Sequence, residues 1–255
     1  MQNQNRKTIV SLLVVQIAIT LFYAFGLGEV LFFSFTTDGW NEVKNNLLDY
    51  LPHLVILVCS LWPQAALIFK HKLHSQDGEI MPLLFTMIAT QASLIVTDAV
   101  TAMGFIFIFP EQLLVVQRFS LVATAALFLL SSLRYYGFSS SNMGFYTALF
   151  LAISLLLSSM VPFSSYRGQM STLTPGYEVY IQIVVLVLYL VSIITFIITA
   201  VKDKTSLNVK RSIAFILLVI SIYFSYYNTL YSAIIAVVLA IPATIILSIN
   251  AGDSL

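Results

Sequence analysis

The sequence carries very little charge for its length. Lysine, arginine, aspartate and glutamate together make up 9% of the 255 residues, whereas hydrophobic residues make up 59%. A soluble domain of this size needs a far more polar surface to cover its core. The composition therefore excludes an ordinary soluble enzyme, and the formal net charge of +1 gives no indication of a nucleic-acid partner.

Cysteine and recognisable catalytic motifs are also scarce. The one cysteine, Cys59, lies inside an apolar run and has no second cysteine with which to form an intramolecular disulfide. The HExxH, GxSxG and glycine-rich phosphate-binding motifs do not occur in the sequence. His71 and His74 in the segment HKLHSQDGE are explained better by a mixed-charge loop than by a metal site. We therefore expect no cofactor and no metal, and an intramembrane enzyme is the least favoured function.

Long apolar runs, separated by short polar loops, account for most of the chain. Each is close to or above the ~18 residues that indicate a membrane span. The predicted spans are Thr8–Leu27, Leu48–Phe69, Ile80–Phe109, Leu113–Leu133, Met143–Val161 and Val179–Val201, followed by an uncharged stretch, Ser212–Asn250. The first run is too long for a signal peptide and indicates an uncleaved helix. The sequence thus predicts an all-α, polytopic membrane bundle that forms a single domain over residues 1–255.

The last apolar stretch decides the number of spans. Its 39 residues would measure about 58 Å as one helix, against roughly 40–45 Å for a bilayer with its headgroups. The segment SYYNTLY within this stretch offers a turn residue, Asn228, between interfacial tyrosines. We therefore predict two short spans here and eight transmembrane helices in all. The alternative is seven, with one long helix that is tilted or is kinked at Pro242.

Lysine and arginine are distributed unevenly between the two sides of the predicted bundle. One side carries nine of them: Arg6, Lys7, Lys70, Lys72, Arg134, Lys202, Lys204, Lys210 and Arg211. The other side carries Lys44 and Arg167, with Arg118 inside a span near that face. Because cytoplasmic loops are enriched in positive residues, the sequence predicts a multi-pass protein of the cell membrane with both termini in the cytoplasm.

The third predicted span contains a carboxylate, Asp98, within a long uncharged run. At 100° per residue, Asp98 shares one helical face with a set of polar residues. The set consists of Thr86, Thr90, Gln91, Ser93, Thr97 and Thr101. An ionisable residue inside a span normally faces the interior of the bundle or a water-filled cavity, and it indicates a functional site. We therefore expect Asp98 to face protein and not lipid.

The fourth span supplies the expected partner of Asp98. Counted from Pro110, Asp98 is twelve residues deep and Arg118 is eight, which is a difference of about 6 Å. Arg118 and the adjacent Gln117 are thus expected to meet Asp98 across an antiparallel helical hairpin. An ion pair that only fixes how the two helices dock is the alternative to a functional site.

Further polar residues lie near the predicted outer face. They are Glu29 at the end of the first span, His53 in the second, and Glu178 and Gln182 at the start of the sixth. Together they predict an outward-facing vestibule that leads to Asp98 and Arg118.

Two classes of function fit these features. The first is a small-molecule transporter or ligand sensor whose site lies on the third and fourth helices and uses Asp98, Arg118 and Gln91. The second is a non-catalytic membrane subunit or scaffold whose charges only dock helices or a partner. The expected partners are the lipid bilayer and either a small-molecule ligand or another membrane protein.

Overall fold

The computed structural model describes residues 2–37, 39–69, 77–137, 143–159, 175–202, 205–227 and 229–250. The regular structure of these residues is entirely helical. The helices are α1 (Gln2–Thr37), α2 (Trp40–Phe69), α3 (Asp77–Ala102), α4 (Pro110–Tyr135), α5 (Met143–Ser159), α6 (Pro175–Lys202), α7 (Ser206–Phe224) and α8 (Leu230–Asn250). Seven of them are long and apolar enough to cross a membrane. The predicted all-α membrane bundle is confirmed. Asn228 and the loop positions Lys70, Lys72, His71, His74, Arg167 and Lys204 lie outside the described residues.

The last apolar stretch forms two helices, as predicted, and the single long helix of the seven-span alternative is wrong. Helix α7 ends at Phe224 and α8 begins at Leu230. Thr229 caps α8, because its Oγ1 accepts a hydrogen bond of 3.2 Å from the Ser232 N–H. The Ser232 Oγ in turn accepts a hydrogen bond of 3.2 Å from the Thr229 N–H. Each side chain thus accepts a hydrogen bond from the other residue's backbone N–H, as in a capping box.

Helix α5 has only 17 residues, but the helices on either side of it show that the chain crosses the bundle there. Helices α4 and α6 run parallel, since the Phe128 and Tyr189 rings lie 5.8 Å apart and Lys202 Nζ lies 4.6 Å from the centre of the Tyr136 ring. Two parallel neighbours can be joined only if the intervening chain returns to the opposite end. The chain between α4 and α6 therefore returns to the end at which α6 begins, and α5 is the described helix on that return.

The end of α3 differs from the prediction. The span was expected to continue to Phe109, but the helix ends at Ala102. Gly104 adopts a left-handed conformation with a φ of 80°, and the N–H of Phe105 bonds the carbonyl of Val100 at 3.2 Å. This pattern is a Schellman motif, which stops a helix at a glycine and satisfies its last carbonyls. Residues 103–109 are apolar and aromatic, yet they are not helical.

Seven helices form a closed sequence of neighbours. Contacts run from α1 through α3, α4, α6, α7, α8 and α2 back to α1, while α5 packs against α4 outside this ring. We call the end that carries Arg134, Lys202 and Arg211 the inner end, because it is the end predicted to be cytoplasmic. The opposite end is the outer end.

The ring is filled by aromatic side chains near its inner end. The Phe196 and Phe215 rings stack at 5.2 Å, and Tyr135 lies 5.6 Å from Phe215. These side chains come from α4, α6 and α7, and all three are buried. The described structure therefore has a buried aromatic cluster between α4, α6 and α7 near the inner end.

A buried polar network joins α1 to α2. The Gln16 Nε2 donates a hydrogen bond of 2.6 Å to Ser60 Oγ, and the Gln64 Nε2 donates to Gln16 Oε1. All three side chains are fully buried. Because lipid offers no competing partners, hydrogen bonds between membrane helices stabilise their packing, by about 0.6 kcal/mol each on average.

Candidate functional site

The outer end of the bundle is uneven, because the turn between α7 and α8 lies well below the ends of other helices. The ring of Tyr226, in this turn, contacts the ring of His53 at 5.3 Å. His53 lies about 20 Å along α2 from Trp40, where that helix begins. Helix α4 likewise begins about 16 Å above Leu121, which lines the same cleft as Tyr226. The α7–α8 turn is thus the floor of a depression on the outer side.

A cleft of about 490 Å³ lies at the level of this floor, between α4, α6, α7 and the turn. Its polar side chains are those of Gln182, Tyr189, Tyr223, Tyr226 and Tyr227, and the remaining lining is aliphatic. No charged side chain lines this cleft among the residues that the structure describes. The size and the mostly apolar lining, with a few polar groups, are those of a small-molecule site.

Tyr189 is the most informative residue of the cleft. It lies in the middle of α6, its side chain is 7% exposed, and its Oη has no hydrogen-bond partner. A buried hydroxyl without a partner costs roughly 1–3 kcal/mol compared with one in water. A bound water or a ligand can supply the missing hydrogen bond, and Tyr189 shares this property with several other buried side chains of the described residues, such as Ser120 and Ser212.

Gln91 on α3 is also buried, with 6% of its surface exposed. The hydroxyl of Tyr226 is within hydrogen-bonding reach of the Gln91 side chain and lies close to Tyr189, and burial of this hydroxyl raises the pKa of Tyr226 well above its usual value. The ring of Tyr226 is partly exposed. Tyr226 thus lies between Gln91 and Tyr189, and it stays neutral at physiological pH.

Asp98 is not where the sequence placed it. Its side chain is exposed, whereas its neighbours Thr97 and Val96 are buried. Because α3 ends at Ala102, Asp98 lies about one helical turn from the end of the helix and not deep in a span. The exposure of Asp98 does not fit the expectation that its carboxylate is enclosed by protein.

The predicted pairing of Asp98 with Arg118 stays a prediction, although the two side chains differ in exposure, since Asp98 is exposed and Arg118 is buried. Arg118 lies about 12 Å along α4 and is 3% exposed, so it is the deeper of the two residues. The sequence had placed Asp98 deeper, because it counted residues 103–109 as helix.

The other predicted site residues divide into two groups. His53 and Gln91 lie beside Tyr226 at the floor of the depression, and Gln182 lines the cleft. The remaining predicted site residues do not line the cleft in the described structure. The Thr97 hydroxyl donates a hydrogen bond of 2.7 Å to the Ser93 carbonyl within α3. Thr101, Gln117 and Glu29 are partly buried. The side chain of Glu178 lies outside the described residues.

Sequence analysis missed Tyr189 entirely. It stands in the run VLVLYLVSII, where every face of the helix is apolar and no periodicity identifies the buried side. The sequence places Tyr226 in the outer turn beside the predicted vestibule but assigns it no individual role. Three or more His, Cys, Asp or Glu side chains do not come together as a metal site anywhere in the described structure.

We expect the Asp98→Asn substitution to change the free energy of unfolding by no more than about 0.5 kcal/mol, as for other exposed positions. The reason is that the Asp98 side chain is exposed, so its substitution leaves no buried group uncompensated. Arg118→Gln, at a buried position, is the comparison and is expected to cost more. Denaturation in detergent micelles measures both. Equal losses of stability in the two single variants, with recovery in the double variant, would instead show that Asp98 and Arg118 form an ion pair.

In comparisons with protein-family models, with curated proteins and with solved structures, nothing matches the chain. The function therefore has to be inferred from the cleft and its surroundings.

Proposed function

We propose that this multi-pass membrane protein binds a small molecule in the cleft beside the α7–α8 turn, as a transporter or a ligand sensor of the cell membrane with cytoplasmic termini. The observation that carries the proposal is the 490 Å³ cleft, whose mostly apolar wall includes Tyr189, a tyrosine with a buried hydroxyl that lacks a hydrogen-bond partner. A small rearrangement of the wall would bring this hydroxyl to a ligand, and the hydrogen bond formed would remove a cost that the empty protein bears.

Access in this structure is from the outer side. The cleft adjoins the floor of the outer depression, whereas the aromatic side chains Tyr135, Phe196 and Phe215 fill the ring towards the inner end. An outward-facing site above a buried aromatic cluster fits the outward-open form of a transporter and also fits a sensor of external ligands. Both need the same binding step, which is the part of the proposal that the geometry supports.

Tyr189→Phe gives a test in which stability and binding change in opposite directions. Removing the hydroxyl without a partner is expected to raise the free energy of unfolding of the ligand-free protein by about 1 kcal/mol. The same change is expected to weaken ligand binding about tenfold, because 1.4 kcal/mol corresponds to a factor of ten. Thermal-shift titration with a panel of small uncharged alcohols and amides measures both quantities.

Tyr180→Phe is the matched control, since Tyr180 lies on the same helix, is half-exposed and does not line the cleft. If Tyr189→Phe stabilises the protein but every alcohol and amide binds as before, the hydroxyl has no role in binding. A protein that none of the panel stabilises, but that copurifies with another membrane protein, would support the subunit or scaffold alternative instead.

A further inference from the structure

A second hollow lies on another side of the bundle, where a groove runs between the outer halves of α2 and α8. Its volume is about 270 Å³, and every side chain that lines it is aliphatic. The lining includes Leu47, Leu51 and Pro52 of α2 and Ala233, Val237 and Val238 of α8. Among the described residues, none lines both this groove and the cleft beside the α7–α8 turn. The groove is therefore a separate feature of the protein.

The groove is open towards the surrounding lipid. Pro52 and Ala233 have short side chains and are buried, so they form its bottom. Leu51 and Val238 form its rims, and they are 44% and 58% exposed. Because α2 and α8 are both long and apolar enough to cross the membrane, these exposed aliphatic side chains are turned towards acyl chains. The groove is thus an indentation in the lipid-facing surface.

The length of α8 gives the depth of the groove in the membrane. Its 21 residues measure about 31 Å, close to the roughly 30 Å of the hydrocarbon core. Leu230, the first residue of α8, therefore lies near the outer boundary of the hydrocarbon, and it lines the groove together with Val238. These two residues are about 12 Å apart along the helix. The groove therefore extends from the headgroup boundary into the outer leaflet.

The shape of the groove limits what can occupy it. A volume of 270 Å³ along about 12 Å of helix corresponds to a width of about 5 Å. An α-helix with its side chains is roughly 10–12 Å across and is too wide to enter. A single extended hydrocarbon chain is slender enough, and it is the chemical group that surrounds this surface in a membrane.

A cation lies directly above the groove. Lys44 is exposed and precedes Leu47 by three residues, so it lies about 5 Å further out along α2. At 100° per residue, Lys44 points within about 60° of Leu47 and Leu51 on the helix surface. The neighbouring carboxylates of Glu42 and Asp49 are turned about 140–160° away from Lys44 by the same count. Lys44 is thus the charged residue of α2 on the groove side, at the level of the lipid headgroups.

We propose that the groove between α2 and α8 binds one acyl chain of an outer-leaflet phospholipid, whose phosphate contacts Lys44. The aliphatic lining matches the chain, and the ammonium group matches the phosphate, for which lysine is a common partner in proteins. The distance of about one helical turn between Lys44 and the top of the groove leaves room for the glycerol. A lipid bound in this way contacts both α2 and α8 and fills the gap between them.

Native mass spectrometry of the full chain, released from detergent micelles, tests the proposal by counting bound lipids. The probes are phosphatidylglycerol and a diacylglycerol with the same acyl chains, which lacks the phosphate. The first phosphatidylglycerol is expected to bind at least about fivefold more tightly than the diacylglycerol, because one lysine near a membrane surface contributes about that factor for an anionic headgroup. Equal binding of the two lipids would overturn the role of the phosphate.

Two substitutions separate the headgroup from the chain. Lys44→Gln is expected to weaken the binding of phosphatidylglycerol about fivefold and to leave the diacylglycerol unchanged. Its control is Lys210→Gln, which removes an exposed cation near the inner end. Val237→Phe fills the groove from α8 and is expected to weaken both lipids about fivefold or more. Its control is Ile245→Phe, at an exposed position of α8 that does not line the groove.

A further variant and the mass of the protein itself complete the test. Ile234→Trp narrows the groove from an exposed position, so it gives the same information if Val237→Phe does not fold. Binding of phosphatidylglycerol that is equal in Lys44→Gln and Lys210→Gln would overturn the contact with Lys44. Lipid binding that neither Val237→Phe nor Ile234→Trp weakens would show that the chain lies elsewhere. A lipid-free dimer that Ile234→Trp dissociates would show that a second copy covers the groove, and the proposal would be wrong.

Discussion

Replacing Arg211 by alanine is expected to lower the free energy of unfolding by about 2–4 kcal/mol, a loss large enough to reduce the amount of protein in the membrane. Arg211 lies on α7 at the inner end and is 3% exposed. Its Nη2 donates a hydrogen bond of 2.7 Å to the carbonyl of Asn250, the last residue of α8. Its Cζ lies 5.8 Å from the centre of the Tyr135 ring of α4. One side chain thus joins three helices.

The magnitude follows from the contacts that the substitution removes. A hydrogen bond from a charged donor contributes about 1.5–3 kcal/mol, and a cation–π contact about 0.5–2 kcal/mol. A cation at the C-terminus of α8 also opposes the partial negative charge of the helix dipole.

Lys210→Ala is the matched control for Arg211→Ala. Lys210 carries the same charge on the adjacent position of α7, but it is exposed. The control is expected to change stability by no more than about 0.5 kcal/mol, because it is a surface position. Chemical denaturation in detergent micelles measures both variants, and Arg211→Lys is expected to fall between them. Equal stabilities for Arg211→Ala and Lys210→Ala would show that the contacts at the inner end contribute nothing.

The second large effect is expected for Gly26→Leu, which places a side chain where α1 and α3 touch. A Cβ at Gly26 would lie 2.9 Å from Cγ2 and 3.4 Å from Cγ1 of Val96, and Val96 is fully buried. Such overpacking costs about 1–3 kcal/mol, and more where the neighbour is stiff at χ1, as valine is. Small residues at helix contacts let membrane helices approach closely, so the substitution is expected to separate α1 from α3.

Two further variants make the Gly26 test specific. Gly28→Leu is the control, because a Cβ at Gly28 meets nothing within 4 Å. Combining Gly26→Leu with Val96→Ala frees space at the contact and is expected to recover part of the loss. The free energies of unfolding of the single and double variants form a double-mutant cycle. If Gly26→Leu and Gly28→Leu have equal free energies of unfolding, the close approach of α1 and α3 at Gly26 does not contribute to stability.

Helix length was the property that the sequence predicted best, because a bilayer of fixed thickness limits it. The run Ser212–Asn250 was too long for one crossing, and the structure divides it into α7 and α8 near the expected position. The end of α3 was predicted wrongly, since the residues after Gly104 are as apolar as the helix before it. The local sequence did contain an indication of the helix end, because a glycine followed by a large apolar residue, here Gly104 and Phe105, is typical of the Schellman motif. The misplacement of Asp98 followed directly from this error.

The candidate site was harder to predict than the helices. His53, Gln91 and Gln182 were identified as polar residues in or near spans, and they lie near the cleft. Their mutual position depends on which helices adjoin, and the neighbours α4 and α6 are not consecutive in the chain. Hydropathy carries no information on such pairings, because each of these helices is apolar enough to face lipid or protein. For the same reason the buried face of α6, and with it Tyr189, could not be identified.

The contact between α2 and α8 has a consequence for how the protein is assembled during synthesis. Helix α2 is among the first segments to enter the membrane, and its neighbour α8 is the last of the described helices to do so. Contacts between segments so far apart in the chain form late, because a long loop must close first. The ring therefore stays open along one side of α2 until α8 has been inserted, and the α7–α8 turn reaches its place as the floor of the depression in the same step. Until then the buried side of His53 and its neighbours has to be covered by lipid or by a chaperone of the insertion machinery.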